Sequence, residues 1–200
     1  MKTLFVTLLC CLMSINLLSG QSLNRPQGDN YIKGVEALNN GDVEEAYKYL
    51  NEEINRNPNN GYAHCYMALI CNVAGDMKLA LQAANTSLEL IPENDAEYRS
   101  FAYFTRGSLL MNAKDYADAE KDLSEAIRLT PDDAENYRTR AEIYLNSGNY
   151  EASLADIQSA LKLDSQADVF DLMQQLIMAN PDPTFMDRVT TSYQGITAER

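Results

Sequence analysis

The side chains best suited to metal binding or nucleophilic catalysis are few in this sequence. It has one histidine, His64, and four cysteines, with Cys10 and Cys11 in an apolar N-terminal run and Cys65 and Cys71 in the body of the chain. A structural zinc site of the usual kind needs four Cys or His ligands close together. No glycine-rich loop precedes a Lys-Ser or Lys-Thr pair, so no nucleotide cradle is present. We therefore predict no metal site and no cofactor.

The remaining candidates for chemistry have simpler explanations. His64 falls within a predicted helix at a position that favours packing between helices. Asp132, Asp133 and Glu135 are the nearest approach to paired acids, and they stand where a helix N-terminus needs capping groups. Cys65 and Cys71, if they share a helix, lie about 9 Å apart along its axis, too far for a disulfide. We predict no catalytic residue and no enzyme activity.

Composition and charge indicate a folded acidic chain. Apolar residues make up 46% of the 200 residues and charged residues 22%, with a formal net charge of −13. Such a surface repels phosphate backbones and anionic lipids, which argues against binding nucleic acid or a membrane surface. The charge favours solubility or, as the sharper alternative, attraction of a basic partner.

The N-terminal segment resembles a secretory signal peptide. Leu4–Leu18 is an almost uninterrupted apolar run of about 15 residues, shorter than the roughly 20 that span a bilayer. We predict a signal peptide over residues 1–20, cleaved near Gly20, and an extracytoplasmic mature chain, either periplasmic or secreted, without membrane insertion. Leu18 occupies a place that favours a small residue, so an uncleaved anchor is the alternative.

The body of the chain repeats. Pro58, Pro92, Pro131 and Ser165 take the same place at intervals of 34, 39 and 34 residues, which defines units at 27–60, 61–99, 100–133 and 134–165. The eighth position of each unit is small, as two helices in close contact require. Positions fifteen and sixteen combine a helix-ending residue with a capping Asp or Asn. The members of these two columns are Gly34, Ala68, Gly107 and Ala141, then Gly41-Asp42, Gly75-Asp76, Lys114-Asp115 and Gly148-Asn149.

The third unit carries the fullest motif: Tyr103, Arg106-Gly107, Leu110, Tyr116, Ala119, Leu123, Ala126 and Pro131. This pattern resembles the tetratricopeptide repeat family. The resemblance implies an all-α fold, a right-handed superhelical α-solenoid of four antiparallel helix pairs over residues 27–165. The first unit departs from the motif with Asn30, Lys33 and Glu53, as terminal repeats often do. Five extra residues around Glu93–Tyr98 should extend the next helix backwards or form a loop.

Two segments follow the repeats. Residues 166–180 place apolar side chains such as Val169, Leu172 and Leu176 at helical spacing, which predicts a capping helix that covers the last repeat. Pro181-Asp182-Pro183 interrupts that pattern, and we predict an irregular tail over residues 181–200, either disordered or packed across the array.

The resemblance also implies a binding groove lined by the first helix of each unit. The family's groove positions, transferred to this sequence, give Tyr31, Tyr62, Tyr66, Leu69, Asn72, Phe101, Phe104, Asn112, Arg138 and Glu142. Many are aromatic, and exposed aromatic patches favour interaction sites. The alternative is that these rings pack on neighbouring helices or lie under the tail.

This sequence lacks the residues that one of the family's recognition modes requires. Members that hold a partner's terminal carboxylate use Lys, Asn and Arg in the groove, where this chain has Tyr31, Ile32, Val35 and Tyr66. An apolar or helical peptide is the better match. We predict an exported scaffold or adaptor that binds a protein or peptide partner. The alternatives are a receptor for a glycan or metabolite, and the N-terminal interaction part of a larger enzyme. The sequence predicts no oligomeric state.

Overall fold

The computed structural model describes residues 25–26 and 28–197, and these residues form ten α-helices and no strand. The predicted signal peptide and its cleavage site lie outside the described residues. The prediction of an all-α fold built from helix pairs is confirmed. The helices are α1 (Asp29–Asn39), α2 (Val43–Arg56), α3 (Gly61–Val73), α4 (Met77–Leu90), α5 (Ala96–Asn112), α6 (Tyr116–Leu129), α7 (Ala134–Asn146), α8 (Tyr150–Leu163), α9 (Phe170–Ala179) and α10 (Pro183–Thr197).

The chain folds as two compact units that divide within α5, between Arg106 and Gly107. The first unit contains α1 to α4 and the beginning of α5. The second contains the end of α5 and α6 to α10. No helix among the described residues is both long and apolar enough to cross a membrane.

The small-residue columns explain how the helices of each pair approach one another. Ala46, Ala80, Ala119 and Ser153, from the second helices, are all completely buried. A Cβ placed on Gly34 of α1 would lie only 2.6 Å from Cγ of Leu50, which is itself fully buried on α2. The absence of a side chain at this position therefore lets α1 and α2 pack closely.

The turn inside each pair follows one design. The side chains of Asp42, Asp76, Asp115 and Asn149 each accept a hydrogen bond from the backbone N–H three residues later, at 3.0 to 3.4 Å. The residue before each cap has a positive φ, which glycine adopts without strain. Glycine supplies it in three turns, whereas the turn before α6 uses Lys114 at 63°.

The five-residue interruption contributes both an extension and a turn. α5 is 17 residues long, against 11 to 14 for α1 to α4. Before it, the Asp95 N–H donates to the Pro92 carbonyl at 3.0 Å, and the Asp95 carboxylate accepts from the Tyr98 N–H at 3.3 Å. Asp95 therefore begins α5 as its cap.

The predicted irregular tail is wrong for residues 183–197, which form α10. The Asp182 carboxylate accepts from the Phe185 N–H at 2.8 Å, and Pro183 occupies the first helical position, where its missing N–H costs nothing. Phe185 and Val189 are buried with Leu172 and Leu176 of α9 and Ile157 of α8. The proline that suggested a helix end is thus a helix start.

Candidate functional site

The predicted groove residues fall in both units. Asn112, Arg138 and Glu142 belong to the second unit, while the first unit holds the other seven. Those seven are Tyr31, Tyr62, Tyr66, Leu69, Asn72, Phe101 and Phe104.

An aromatic cluster forms the centre of the first unit. It consists of Tyr31 from α1, Tyr62 and Tyr66 from α3, and Tyr98 and Phe101 from α5. The Tyr62 and Tyr98 rings meet edge to face with centroids 4.8 Å apart. Tyr66 lies 6.1 Å from Tyr31 and 5.7 Å from Phe101 between centroids. These separations are in the range of favourable aromatic pairs, so the first helices of three successive pairs meet through their rings.

The tyrosine hydroxyls in this cluster are joined. The Tyr98 hydroxyl oxygen lies 3.2 Å from that of Tyr31 and 3.3 Å from that of Tyr66. Burial raises the pKa of Tyr31 and of Tyr66 above its ordinary value, and the neighbouring Tyr98 adds to both shifts. A tyrosine hydroxyl can both donate and accept a hydrogen bond, so the three hydroxyls can form one continuous series of hydrogen bonds.

The cluster is largely closed to solvent. Tyr66 is 2% exposed, Tyr31 is 7% exposed, and Leu69 and Phe104 are buried as well. This burial matches the alternative in which the rings pack on neighbouring helices. On the same helices, Asn72 of α3 is half-buried and Ile32 of α1 is 37% exposed. Ile32 is thus an exposed apolar side chain that follows Tyr31 of the cluster in α1.

An arginine from outside the helices lies on the cluster. Arg25 donates from Nε to Asp95 Oδ2 at 3.0 Å, from Nη2 to Asp95 Oδ1 at 2.9 Å, and from Nη2 to Glu97 Oε2 at 2.7 Å. Its Cζ lies 4.7 Å from the centre of the Tyr98 ring, a cation–π distance. Tyr62 donates its hydroxyl to Asp95 Oδ2 at 3.0 Å. Although burial opposes it, hydrogen bonding and charge from the two carboxylates raise the pKa of Arg25.

Four of these residues, Arg25, Asp95, Glu97 and Tyr98, were not predicted as site residues from the sequence. Asp95, Glu97 and Tyr98 lie in the five-residue interruption before the third repeat, so no repeat position was assigned to them. Arg25 precedes the first repeat, which begins at residue 27. The motif Asp-Ala-Glu-Tyr at residues 95–98, an acidic pair with an aromatic residue, was the available signal.

Two predicted groove residues of the second unit, Arg138 and Glu142, form ion pairs together with Glu135. Arg138 donates from Nη2 to Glu135 Oε1 at 2.6 Å, and its Nη1 lies 3.7 Å from Glu142 Oε2. Burial works against the charged form, but the bonds and charge of Glu135 and Glu142 leave the pKa of Arg138 raised. Asn112 is exposed. The positive charge of Arg138 is therefore neutralised by carboxylates of its own helix, α7.

His64, Cys65 and Cys71, the candidates for metal binding, are hydrogen-bonded or buried within the fold. His64 Nε2 lies 2.9 Å from the Pro58 carbonyl oxygen. Cys65 and Cys71 are free, buried thiols, and burial raises the pKa of Cys65 to about 12. Among residues 25–26 and 28–197, no group of three or more His, Cys, Asp or Glu side chains is placed to hold a metal ion.

Stacked helix pairs with small-residue contacts, capped glycine turns and a covering helix define a helical-repeat protein. Two family models described as tetratricopeptide repeat match residues 33–95 and 106–178, together well over half of the chain. The chain belongs to the tetratricopeptide repeat family. This fold is a scaffold for protein–protein interaction, and its families are generally not enzymes.

Individual relatives agree on the fold. The chain is 31% identical over 85 residues to the photosystem I assembly protein Ycf3 of Prochlorococcus marinus, which covers 41% of this chain and 49% of that protein. The chain thus spans about half the length of that relative, and 32% of the DnaJ homolog subfamily C member 7 homolog of Schizosaccharomyces pombe, to which it is 25% identical. Among solved structures, MamA of Desulfovibrio magneticus matches with a TM-score of 0.67 and 21% identity, over 86% of this chain and 96% of that one. YrrB, described as having an unusual peptide-binding site, matches with a TM-score of 0.59 and 12% identity over 92% and 97%.

Proposed function

We propose that this protein is an extracytoplasmic adaptor that binds a protein or peptide partner at the aromatic cluster of its first unit. The observation that carries the proposal is the meeting of five aromatic rings from α1, α3 and α5 in one place, with the exposed Ile32 directly after Tyr31 in α1. Tyrosines are favoured at interfaces because they combine a large apolar body with a polar tip and lose little entropy on binding. The description of YrrB as peptide-binding and of Ycf3 as an assembly protein supports this class of function.

The tyrosine hydroxyl groups distinguish this cluster from an ordinary apolar core. A core that only had to fill space would be served by Phe or Leu, because a buried hydroxyl needs a partner. Here the hydroxyls of Tyr31, Tyr66 and Tyr98 are joined by hydrogen bonds, and the Tyr62 hydroxyl donates to Asp95. The rings are buried in the free chain, so a partner reaches them where a covering group such as Arg25 over Tyr98 moves aside. Apolar rings and polar tips together then suit an amphipathic or extended peptide.

Ile32→Glu tests this proposal on the intact chain. Ile32 is 37% exposed, so the change should leave the fold intact and place a carboxylate on the exposed side of α1, one residue after Tyr31. We expect the purified variant to lose a partner that crosslinking and mass spectrometry identify with the wild type in an envelope extract. Leu79→Glu on α4 of the same unit is the matched control, since Leu79 is 49% exposed on a second helix. If Ile32→Glu captures as much of the partner as Leu79→Glu does, the partner binds at a surface that does not include Ile32.

Export is tested separately. The apolar run Leu4–Leu18 supports cleavage near Gly20. The intact mass of the chain recovered from its native cell should correspond to a start close to Gln21. A mass that retains Met1 and Lys2 would show that the run is kept as an anchor or that the chain is not exported.

A further inference from the structure

We propose that the Asp95 pocket of the first unit is a guanidinium-binding site that takes an arginine side chain of the partner in exchange for Arg25. The pocket consists of the carboxylates of Asp95 and Glu97, the Tyr62 hydroxyl and the face of Tyr98. This inference deepens the proposed function, on which it rests, by giving the partner a chemistry.

Asp95 requires a cation. It is completely buried, and removing a carboxylate from water is costly unless charge and hydrogen bonds compensate it. The Tyr62 hydroxyl and the Tyr98 N–H each donate to it, but both donors are neutral. Arg25 supplies the positive charge, through two parallel N–H···O bonds that engage both carboxylate oxygens.

The pocket is shaped for guanidinium rather than for ammonium. Two bonds to one carboxylate use the planar fork of arginine, and a third bond reaches Glu97 at 2.7 Å. The Cζ atom of the group lies over the Tyr98 ring, 4.7 Å from its centroid. A lysine ammonium in the same place is a compact charge with neither a planar fork to pair with the carboxylate nor a face to place over a ring, so the pocket should prefer arginine.

The present occupant is suited to exchange. Arg25 lies 70 residues from Asp95 in the chain, in a segment that is not helical, and its side chain is 19% exposed. Asp95, Glu97 and Tyr98, by contrast, are fixed at the beginning of α5. Departure of Arg25 uncovers the face of Tyr98, whose hydroxyl connects Tyr31 and Tyr66. Entry of a partner's arginine is thereby coupled to access to the aromatic cluster.

The charge of the whole chain agrees with such a partner. A formal net charge of −13 attracts basic segments over distances of about a Debye length, roughly 8 Å at physiological salt. A peptide with an arginine flanked by apolar residues matches both the pocket and the neighbouring rings.

Replacement of Arg25 by a small residue tests the pocket directly. The probe is N-acetyl-arginine amide, titrated calorimetrically into the full chain, with N-acetyl-lysine amide as the comparison ligand. In Arg25→Ala the competing side chain is gone, so we expect the arginine probe to bind about tenfold more tightly than to the wild type and about tenfold more tightly than the lysine probe. Arg128→Ala removes the arginine of an exposed ion pair with the same change in net charge, and it should leave the affinity unchanged.

A second variant assigns the site. Asn caps a helix as well as Asp does, so Asp95→Asn in the Arg25→Ala background should keep α5 and abolish the gain in affinity. If Arg25→Ala proves unfolded by circular dichroism, Arg25→Lys retains the charge without the fork and should show a smaller gain of the same kind. Equal binding of the two probes, or a gain that survives Asp95→Asn, would show that the Arg25–Asp95 pair is structural only. A partner lost by Ile32→Glu but unaffected by Arg25→Ala would uphold the proposed function and refute this inference.

Discussion

At the scale of single residues, Lys114 carries backbone strain that the equivalent residues avoid. It has a φ of 63°, whereas Gly41, Gly75 and Gly148 take the same place with φ between 79° and 82°. The left-handed region brings the Cβ of an L-residue close to the following carbonyl oxygen, at a cost of about 1–2 kcal/mol. The turn between α5 and α6 is therefore the least favourable of the four.

Lys114→Gly should stabilise the protein by about 0.5–1 kcal/mol, because relief of the strain exceeds the added entropy of an unfolded glycine. Urea unfolding followed by circular dichroism measures the change. Gly75→Ala is the converse control and should destabilise by about 1 kcal/mol, since nothing lies within 4 Å of its added Cβ and only the backbone opposes it. A loss of stability in Lys114→Gly would contradict the explanation.

The buried tyrosines predict a loss of stability in alkali. The pKa of Tyr31 and of Tyr66 is raised by burial in the folded chain, while the unfolded chain releases these protons near pH 10. The stabilisation is complete below about pH 10 and is lost as the pH rises through the folded pKa, at about 1.4 kcal/mol per pH unit for each group. Urea midpoints measured at a series of alkaline pH values test this, and Tyr31→Phe should flatten the dependence. A midpoint that stays constant above pH 10 would show that these hydroxyls ionise freely.

At the scale of helices, α10 covers part of the hydrophobic core of the second unit. Phe185 is 2% exposed and Val189 is fully buried, both within the core that α8 and α9 also line. Burial of a phenylalanine side chain contributes a few kcal/mol, more than α10 could gain alone in water. The helix therefore exists because of its packing.

Phe185→Ala should destabilise the second unit by about 3–5 kcal/mol through loss of buried surface and creation of a cavity. Hydrogen exchange across residues 150–197 would show the loss as faster exchange in α10 and α9. Met178→Ala is the control on α9, where the side chain is 82% exposed and should matter little. Unchanged protection of α9 in Phe185→Ala would mean that α10 is not needed to cover it.

The helices were predictable to the extent that their signals are local. Asp42 and Gly41 specify a turn by their own backbone and side-chain preferences, wherever the helices later pack. The same approach failed at Pro183, because a proline ends one helix or starts another according to whether residues such as Phe185 find a core. It also failed at Arg25 and Asp95, since a contact over 70 residues has no signature in a repeat of 34. The burial of Tyr66 depends on rings from α1 and α5, which only the packed structure brings together.

At the scale of the whole chain, the acidic charge should govern the rate of association more than the strength of the complex. A net charge of −13 steers a basic partner towards the protein, and salt screens that attraction. We expect the association rate of the partner identified by crosslinking to fall about tenfold or more between low and physiological salt, with a smaller effect on dissociation. Stopped-flow kinetics at several salt concentrations measure this. An association rate independent of salt would indicate an uncharged partner and would argue against an arginine ligand.

The capping carboxylate of α5 has an implication for ancestry. Asp95 lies in the stretch that breaks the regular repeat, and it holds an arginine that lies before the repeats begin. A buried Asp95 needs the charge of Arg25 whenever no partner is bound, so Arg25 should be retained wherever Asp95 is present. Chains whose second and third repeats join without the extra residues should lack an arginine at the position of Arg25. Covariation between these two distant columns would then trace the history of the pocket independently of any binding experiment.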